Sequence, residues 1–106
     1  MFFIAIRRSA RPRDEWTVTL DEHLAWMRDQ HATGAILLSG PSPDYSLGIY
    51  LIRAGSRAEA EGIAGSDPIT AAGLATVELI DWDIRQAFGI GPFTSEGIKA
   101  VRPDQI

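Results

Sequence analysis

Apolar positions along the chain fall into short runs whose period changes, and the changes mark the elements. Phe2 to Arg7 is an apolar run with two aromatics and β-branched isoleucines, which predicts a strand. Residues 8–18 are polar and mixed, carry Pro12 and complete a cluster of four arginines (Arg7, Arg8, Arg11, Arg13), so a loop is expected there. Leu20, Leu24, Met27 and His31 then recur at i, i+4, i+7 and i+11, one stripe of a helix. Thr19 and Glu22 supply the capping-box spacing at its start, Asp21 and Glu22 suit the positive end of its dipole, and Gly34 stops it. Ala35 to Ser39 predicts a buried strand ended by Gly40-Pro41, and Pro41 to Asp44 a turn. Ser46 to Arg53 predicts the second arm of an antiparallel hairpin. Ser56 and Glu59 repeat the capping-box spacing and open a helix that ends near Gly65. Asp67-Pro68 opens a short helical turn closed by Gly73, because Asp is a good N-cap and Pro is favoured at the first helical position. Val77 to Ile84 is the last expected strand.

The resulting order, β-α-β-β-α-β, is the split βαβ pattern of ferredoxin-like α+β folds. Counting faces adds a partner. Leu47, Ile49 and Leu51 alternate with Gly48, Tyr50 and Ile52, and Val77 and Leu79 alternate with Ile80, Trp82 and Ile84. Both faces of the sheet are therefore largely apolar, while two helices cover only one, so a sheet-to-sheet homodimer or higher homo-oligomer is expected. Residues 1–84 form the α+β domain on this reading. Residues 85–106 carry Gly89, Gly91, Pro92, Gly97 and Pro103 among several apolar residues. They are expected to be an irregular C-terminal extension packing on the domain or on a partner subunit.

Composition narrows the function classes. At 106 residues the chain is one domain of ordinary apolar and charged content. A net charge of −4 argues against a nucleic-acid binder, which would show a basic face. The absence of cysteine removes disulfides, thiolate metal sites and thiol nucleophiles, and two histidines are too few for a zinc site without carboxylates. The N-terminal apolar run precedes its arginines, the reverse of a signal peptide, and no run approaches the ~20 residues of a membrane span. The cytoplasm is the expected location, with neither membrane nor nucleic acid as a partner.

The chemistry-bearing residues each have two readings. His23 lies about 60° from the centre of the apolar stripe at 100° per residue, at the border of core and solvent. It can be a boundary histidine bonded locally, or an acid/base group with a partner that fixes its tautomer. Asp67 can be that partner, or simply the N-cap of the turn that follows. One oxygen can cap while the other meets His23, so the roles are compatible. His31, at the helix C-terminus, is better read as structural. Ser39, Gly40 and Pro41 end a strand, where Gly40 lets backbone approach a ligand closely, and are candidates for substrate binding, with a plain hairpin turn as the alternative. No nucleophile elbow surrounds Ser39, and Gly89-Ile90-Gly91 is not a phosphate loop. The arginine cluster can draw in an anionic substrate or be a solvated loop. Trp16, Trp26, Tyr50 and Trp82 are expected in the core or an interface.

The stretch His23-Leu24-Ala25-Trp26, followed by Gly34-Ala35-Ile36-Leu37-Leu38-Ser39-Gly40-Pro41, resembles the signature of the YCII-related (YciI-like) family. The Ser56-opened helix, then Asp67-Pro68, Ala71-Ala72-Gly73 and the final strand agree with it in order and spacing, so the resemblance spans about residues 1–84. It implies the dimeric α+β barrel fold, and an acid/base pair, His23 and Asp67, at the mouth of a pocket between helices and sheet. It further implies a small-molecule enzyme moving a proton without metal or organic cofactor, of lyase, isomerase or dehalogenase type. Some relatives resemble enzymes acting on hydroxylated aromatic breakdown products. A non-catalytic metabolite-binding or accessory subunit using the same pocket is the competing reading, and a purely structural dimer the third. The extension after Ile84 has no counterpart in the shortest members.

Overall fold

The computed structural model describes residues 1–89. Four strands, β1 (Phe2–Ser9), β2 (Ile36–Pro41), β3 (Leu47–Arg53) and β4 (Ala75–Trp82), form one antiparallel sheet in the order β2-β3-β1-β4. Helix α1 (Leu20–Thr33) connects β1 to β2, and α2 (Arg57–Gly65) with the single turn α3 (Pro68–Ala71) connects β3 to β4. A short 3₁₀ turn, Arg13–Glu15, lies in the loop after β1. The predicted order and ferredoxin-like topology are both present.

The helix ends form as their sequences dictate. Thr19 Oγ1 accepts the Glu22 N–H and the Glu22 carboxylate accepts the Thr19 N–H, a complete capping box. Gly34 closes α1 in the left-handed region (φ 76°). At α2 only half of the expected box forms: Ser56 accepts the Glu59 N–H, while the Glu59 carboxylate takes the N–H of Gly55.

The stripe expected on α1 is not the one that packs. Leu20 and Leu24 are 46% and 45% exposed and His31 is exposed; His23, Trp26, Met27 and Gln30 face inward instead, at i, i+3, i+4 and i+7. Polar partners turn the helix. The Trp26 Nε1 donates to Ser66 Oγ at 3.0 Å, its ring meets Tyr50 edge-on with centroids 6.0 Å apart, and His23 reaches Asp67. Strand β4 also starts earlier than expected, at Ala75, which pairs with Ser9, and Ile84 is buried beyond its end. In β2, Gly40 and Pro41 belong to the strand rather than ending it, after a bulge at Leu37.

The core lies between the helices and one sheet face, built from Phe3, Ala5, Met27, Ile36, Tyr50, Ile52, Ala60 and Ala64. On the opposite face the register lines up Leu38, Leu51, Ile4 and Ile80 across all four strands, flanked by Ile49 and Trp82. Leu38 is 67% exposed, and Ile49, Ile80 and Trp82 are exposed beside it. Most of the expected extension, from residue 90 on, lies outside the described residues.

Candidate active site

Asp67 is the one fully buried charged side chain among the described residues, at 0% exposure, and its environment is built from four elements. It caps α3: Oδ1 accepts the Ile69 N–H at 3.0 Å. The same oxygen lies 3.0 Å from His23 Nδ1 on α1. Oδ2 accepts the Tyr50 hydroxyl from β3 at 2.6 Å and Arg7 Nη1 from β1 at 2.8 Å. Arg7 Nη1 also lies 3.3 Å from the Tyr50 oxygen. The two roles weighed for Asp67, cap and partner of His23, are filled together by one oxygen.

The protonation states follow from this arrangement. Burial alone would raise the Asp67 pKa, but hydrogen bonds from His23, Tyr50, Arg7 and the Ile69 amide outweigh it and hold the carboxyl well below its ordinary 3.8. Burial, together with the bond it donates to Asp67, pushes the Tyr50 phenol up, so Tyr50 stays a donor. An ionised carboxylate only accepts hydrogen bonds. The hydrogen between Asp67 and His23 therefore sits on Nδ1, and a neutral His23 ring has its lone pair on Nε2. The ring keeps 12% of its side-chain surface exposed and stacks on Trp26 with centroids 6.1 Å apart, so its plane is held from a second side.

A pH dependence results, and its sign is fixed by the depressed pKa. A carboxyl that is more acidic folded than unfolded contributes stability in full above the unfolded value and loses it as pH falls through the folded one. The Asp67 contribution is thus present in full above about pH 3.8 and is lost progressively as pH falls from there toward the much lower folded value. Urea midpoints measured at pH 7, 4 and 3 should fall steeply in the last interval, and Asp67→Asn should flatten that fall.

Sequence reasoning does not single out Arg7 or Tyr50 as partners of Asp67: it sets Arg7 at the end of the first strand and weighs it only within the arginine cluster, and it sets Tyr50 in the core or an interface. A signal for Arg7 was present: Phe3, Ala5 and Arg7 share one strand face by the period of two, so the third must point where the first two do. The Arg7 side chain is 11% exposed.

His31 and Ser39 form a separate pair, Nε2 to Oγ 2.8 Å, on the exposed flank of the sheet. The register sets Pro41, Gly48 and Arg7 in one row and Ser39, Tyr50 and Ala5 in the next. The segment Ser39–Pro41 therefore lies beside the Tyr50 side of the site, one strand beyond it. Those three residues also line a depression of about 320 Å³ with Ile4, Leu38, Ile49 and Trp82. A second depression lies by Gly34, Arg53 and Glu59. Neither lining includes His23 or Asp67. Among the described residues, no helix is long and apolar enough to cross a membrane.

A four-stranded antiparallel sheet with its helices on one face, and a carboxylate buried between sheet and helices, defines a ferredoxin-like α+β protein with the chain topology of the dimeric α+β barrels. The chain belongs to the YCII-related domain family, whose model matches residues 1–83. The fold is similar to the solved structure of 5-chloro-2-hydroxyhydroquinone dehydrochlorinase (TftG) from Burkholderia phenoliruptrix AC1100, in complex with 2,5-dihydroxybenzoquinone. The two are 25% identical with a TM-score of 0.59, and the match covers 77% of this chain and 93% of that one. No curated protein matches the sequence.

Proposed function

We propose that this protein is a small-molecule enzyme in which His23 moves a proton on a hydroxylated aromatic or quinone-like substrate and Asp67 orients it. The observation that carries the reading is the Nδ1–Oδ1 bond of 3.0 Å to a fully buried carboxylate, which leaves Nε2 as the exchanging nitrogen. A carboxylate on one imidazole nitrogen fixes the ring and stabilises it when the other nitrogen takes a proton. The dehydrochlorinase TftG supplies the substrate class, a hydroxylated ring that loses a proton and chloride. In such a step a proton first adds to the chlorine-bearing ring carbon as one hydroxyl becomes a carbonyl. Nε2 then takes the proton of a second hydroxyl, whose electrons form the other carbonyl as chloride leaves with its bonding pair, so no electron acceptor is required. Ser39, Gly40 and Pro41 are proposed as substrate-binding residues from their place in the register, Ser39 beside Tyr50 and Pro41 beside Gly48; the depression they line opens on the opposite, uncovered sheet face.

The test is chloride release from 5-chloro-2-hydroxyhydroquinone under anaerobic conditions, with a halogen-free hydroxyquinol, which has no halide to lose, as the control. Turnover above the uncatalysed rate, lost in His23→Gln, supports the enzyme. Saturable binding of the same compounds without turnover, unchanged in His23→Gln, would instead make the protein a binding or accessory subunit.

The same proposal includes a homodimer through the open sheet face. Its support is the uncovered row of Leu38, Leu51, Ile4 and Ile80, since soluble monomers rarely leave such a contiguous apolar face in water. Sedimentation velocity at micromolar concentration should give twice the mass of one chain, and Leu38→Glu/Ile80→Lys should give one chain. A monomeric wild type at that concentration sinks the dimer.

A further inference from the structure

Asp67 is gripped on the side away from His23 by two donors from the sheet. Oδ2 receives Tyr50 at 2.6 Å and Arg7 at 2.8 Å, and both donors are withdrawn from solvent. Gly48 lies directly across from Arg7 on β3. A Cβ at Gly48 would come within 2.8 Å of Arg7 Nη2 and 2.9 Å of its Cζ. The backbone there is not in the left-handed region, which holds only Gly34, Gly73 and Gly89 among the described glycines. Gly48 is therefore explained by the space above it and not by its own torsion.

We propose that Arg7, Tyr50 and Gly48 form a positioning unit for the His23–Asp67 pair. Arg7 and Tyr50 pin one carboxylate oxygen so that the other is presented to His23, and Gly48 leaves the room in which the guanidinium lies. The proposal rests on the reading of His23 and Asp67 given above. With Oδ2 held by two donors and Oδ1 by the Ile69 amide, the carboxylate can neither rotate nor pick up a proton. The proton His23 gains at Nε2 stays on the ring until it is returned, and Asp67 is an anion throughout. Arg7 matches that charge, so the buried cluster gains a single positive charge in each turnover. An Asp67 held by His23 and the α3 amide alone would be free to swing about its side-chain torsion, and the Nδ1–H tautomer would lose its anchor.

Gly48→Ala is the sharpest probe, because it keeps every polar group of the site and displaces only the guanidinium. Misplacing a catalytic group by about 1 Å can lower rate on the order of 100-fold. The expected result for Gly48→Ala is a fall in kcat of roughly tenfold to 100-fold with KM changed far less. Nitrogen-15 spectra of the neutral His23 ring, which need no substrate, should show the Nδ1–H tautomer in the wild type. The ring should become a tautomer mixture in Gly48→Ala and in Tyr50→Phe. The variants must couple: a lysine at position 7 has no guanidinium to strike, so adding Gly48→Ala to Arg7→Lys should change kcat less than about twofold. Wild-type tautomer and kcat in both Gly48→Ala and Tyr50→Phe would overturn the positioning unit, as would additive effects in the Arg7→Lys pair. A wild-type ring without the Nδ1–H tautomer would overturn the dyad itself, so the two failures are distinguishable.

Discussion

Asp67→Ala is expected to lower the unfolding free energy by about 3–5 kcal/mol, because it removes one partner of a buried ion pair and leaves the other uncompensated. The residue is at 0% exposure and satisfies four donors, so its loss strands the Arg7 guanidinium, the Tyr50 hydroxyl, the Ile69 amide and His23 Nδ1 together. A domain of this size has a total stability on the order of 5–15 kcal/mol, so the variant should be at or near the edge of folding. Loss of the α3 cap is only a part, since an N-cap Asp is worth about 1 kcal/mol. The charge and the cap can be separated. Arg7→Met/Asp67→Ala removes both ions, and replacing a buried pair by apolar groups is often near neutral, so the double variant should recover most of the loss. Urea denaturation followed by tryptophan fluorescence reads both. A double variant no more stable than Asp67→Ala would show that the stranded guanidinium is not the cause.

This network also marks where the sequence could and could not be read. The order of strands and helices along the chain, the capping box of α1, the Ser56 half of the one at α2 and the placement of Asp67 at a helix start were legible, because each rests on residues close together in sequence. The two apolar sheet faces were legible by the same local alternation in β3 and β4, and Leu51 and Ile80 of the exposed row lie on one face together; Leu38 and Ile4 join them through the pairing register. The rotation of α1 was not. Leu20 and Leu24 outweigh His23 and Trp26 in any count of apolar positions, yet the helix turns them outward so that His23 meets Asp67 and Trp26 meets Ser66. Those partners are 44 and 40 residues away in sequence, and no local pattern encodes them. Arg7 was obscured for a related reason: beside Arg8, Arg11 and Arg13 it reads as one of a charged loop. Its place at the end of the first strand sets it on the buried face with Phe3 and Ala5 by the period of two, a signal the neighbouring charges mask.

His23→Gln should separate chemistry from folding, the opposite outcome to Asp67→Ala. Asp67 retains three of its four donors, Tyr50, Arg7 and the Ile69 amide, when the imidazole is gone, and the glutamine amide can itself donate to Oδ1. The urea midpoint should therefore move little. Turnover should fall about 10²–10⁴-fold, the range a positioned general acid–base group contributes, because an amide nitrogen cannot take a proton near neutral pH. The wild-type pH–rate profile should carry an acid limb, from protonation at Nε2, and the residual activity of His23→Gln should lack it. The limb belongs to His23 and not to Asp67, whose carboxyl is held far below the working range. Asp67→Asn sharpens the assignment. It keeps an acceptor for the Ile69 amide but turns an NH₂ toward donors or toward His23, so turnover should drop. An acid limb that persists in His23→Gln would assign the proton transfer to another group, and the Nδ1–Oδ1 bond would then be a structural tie between α1 and α3.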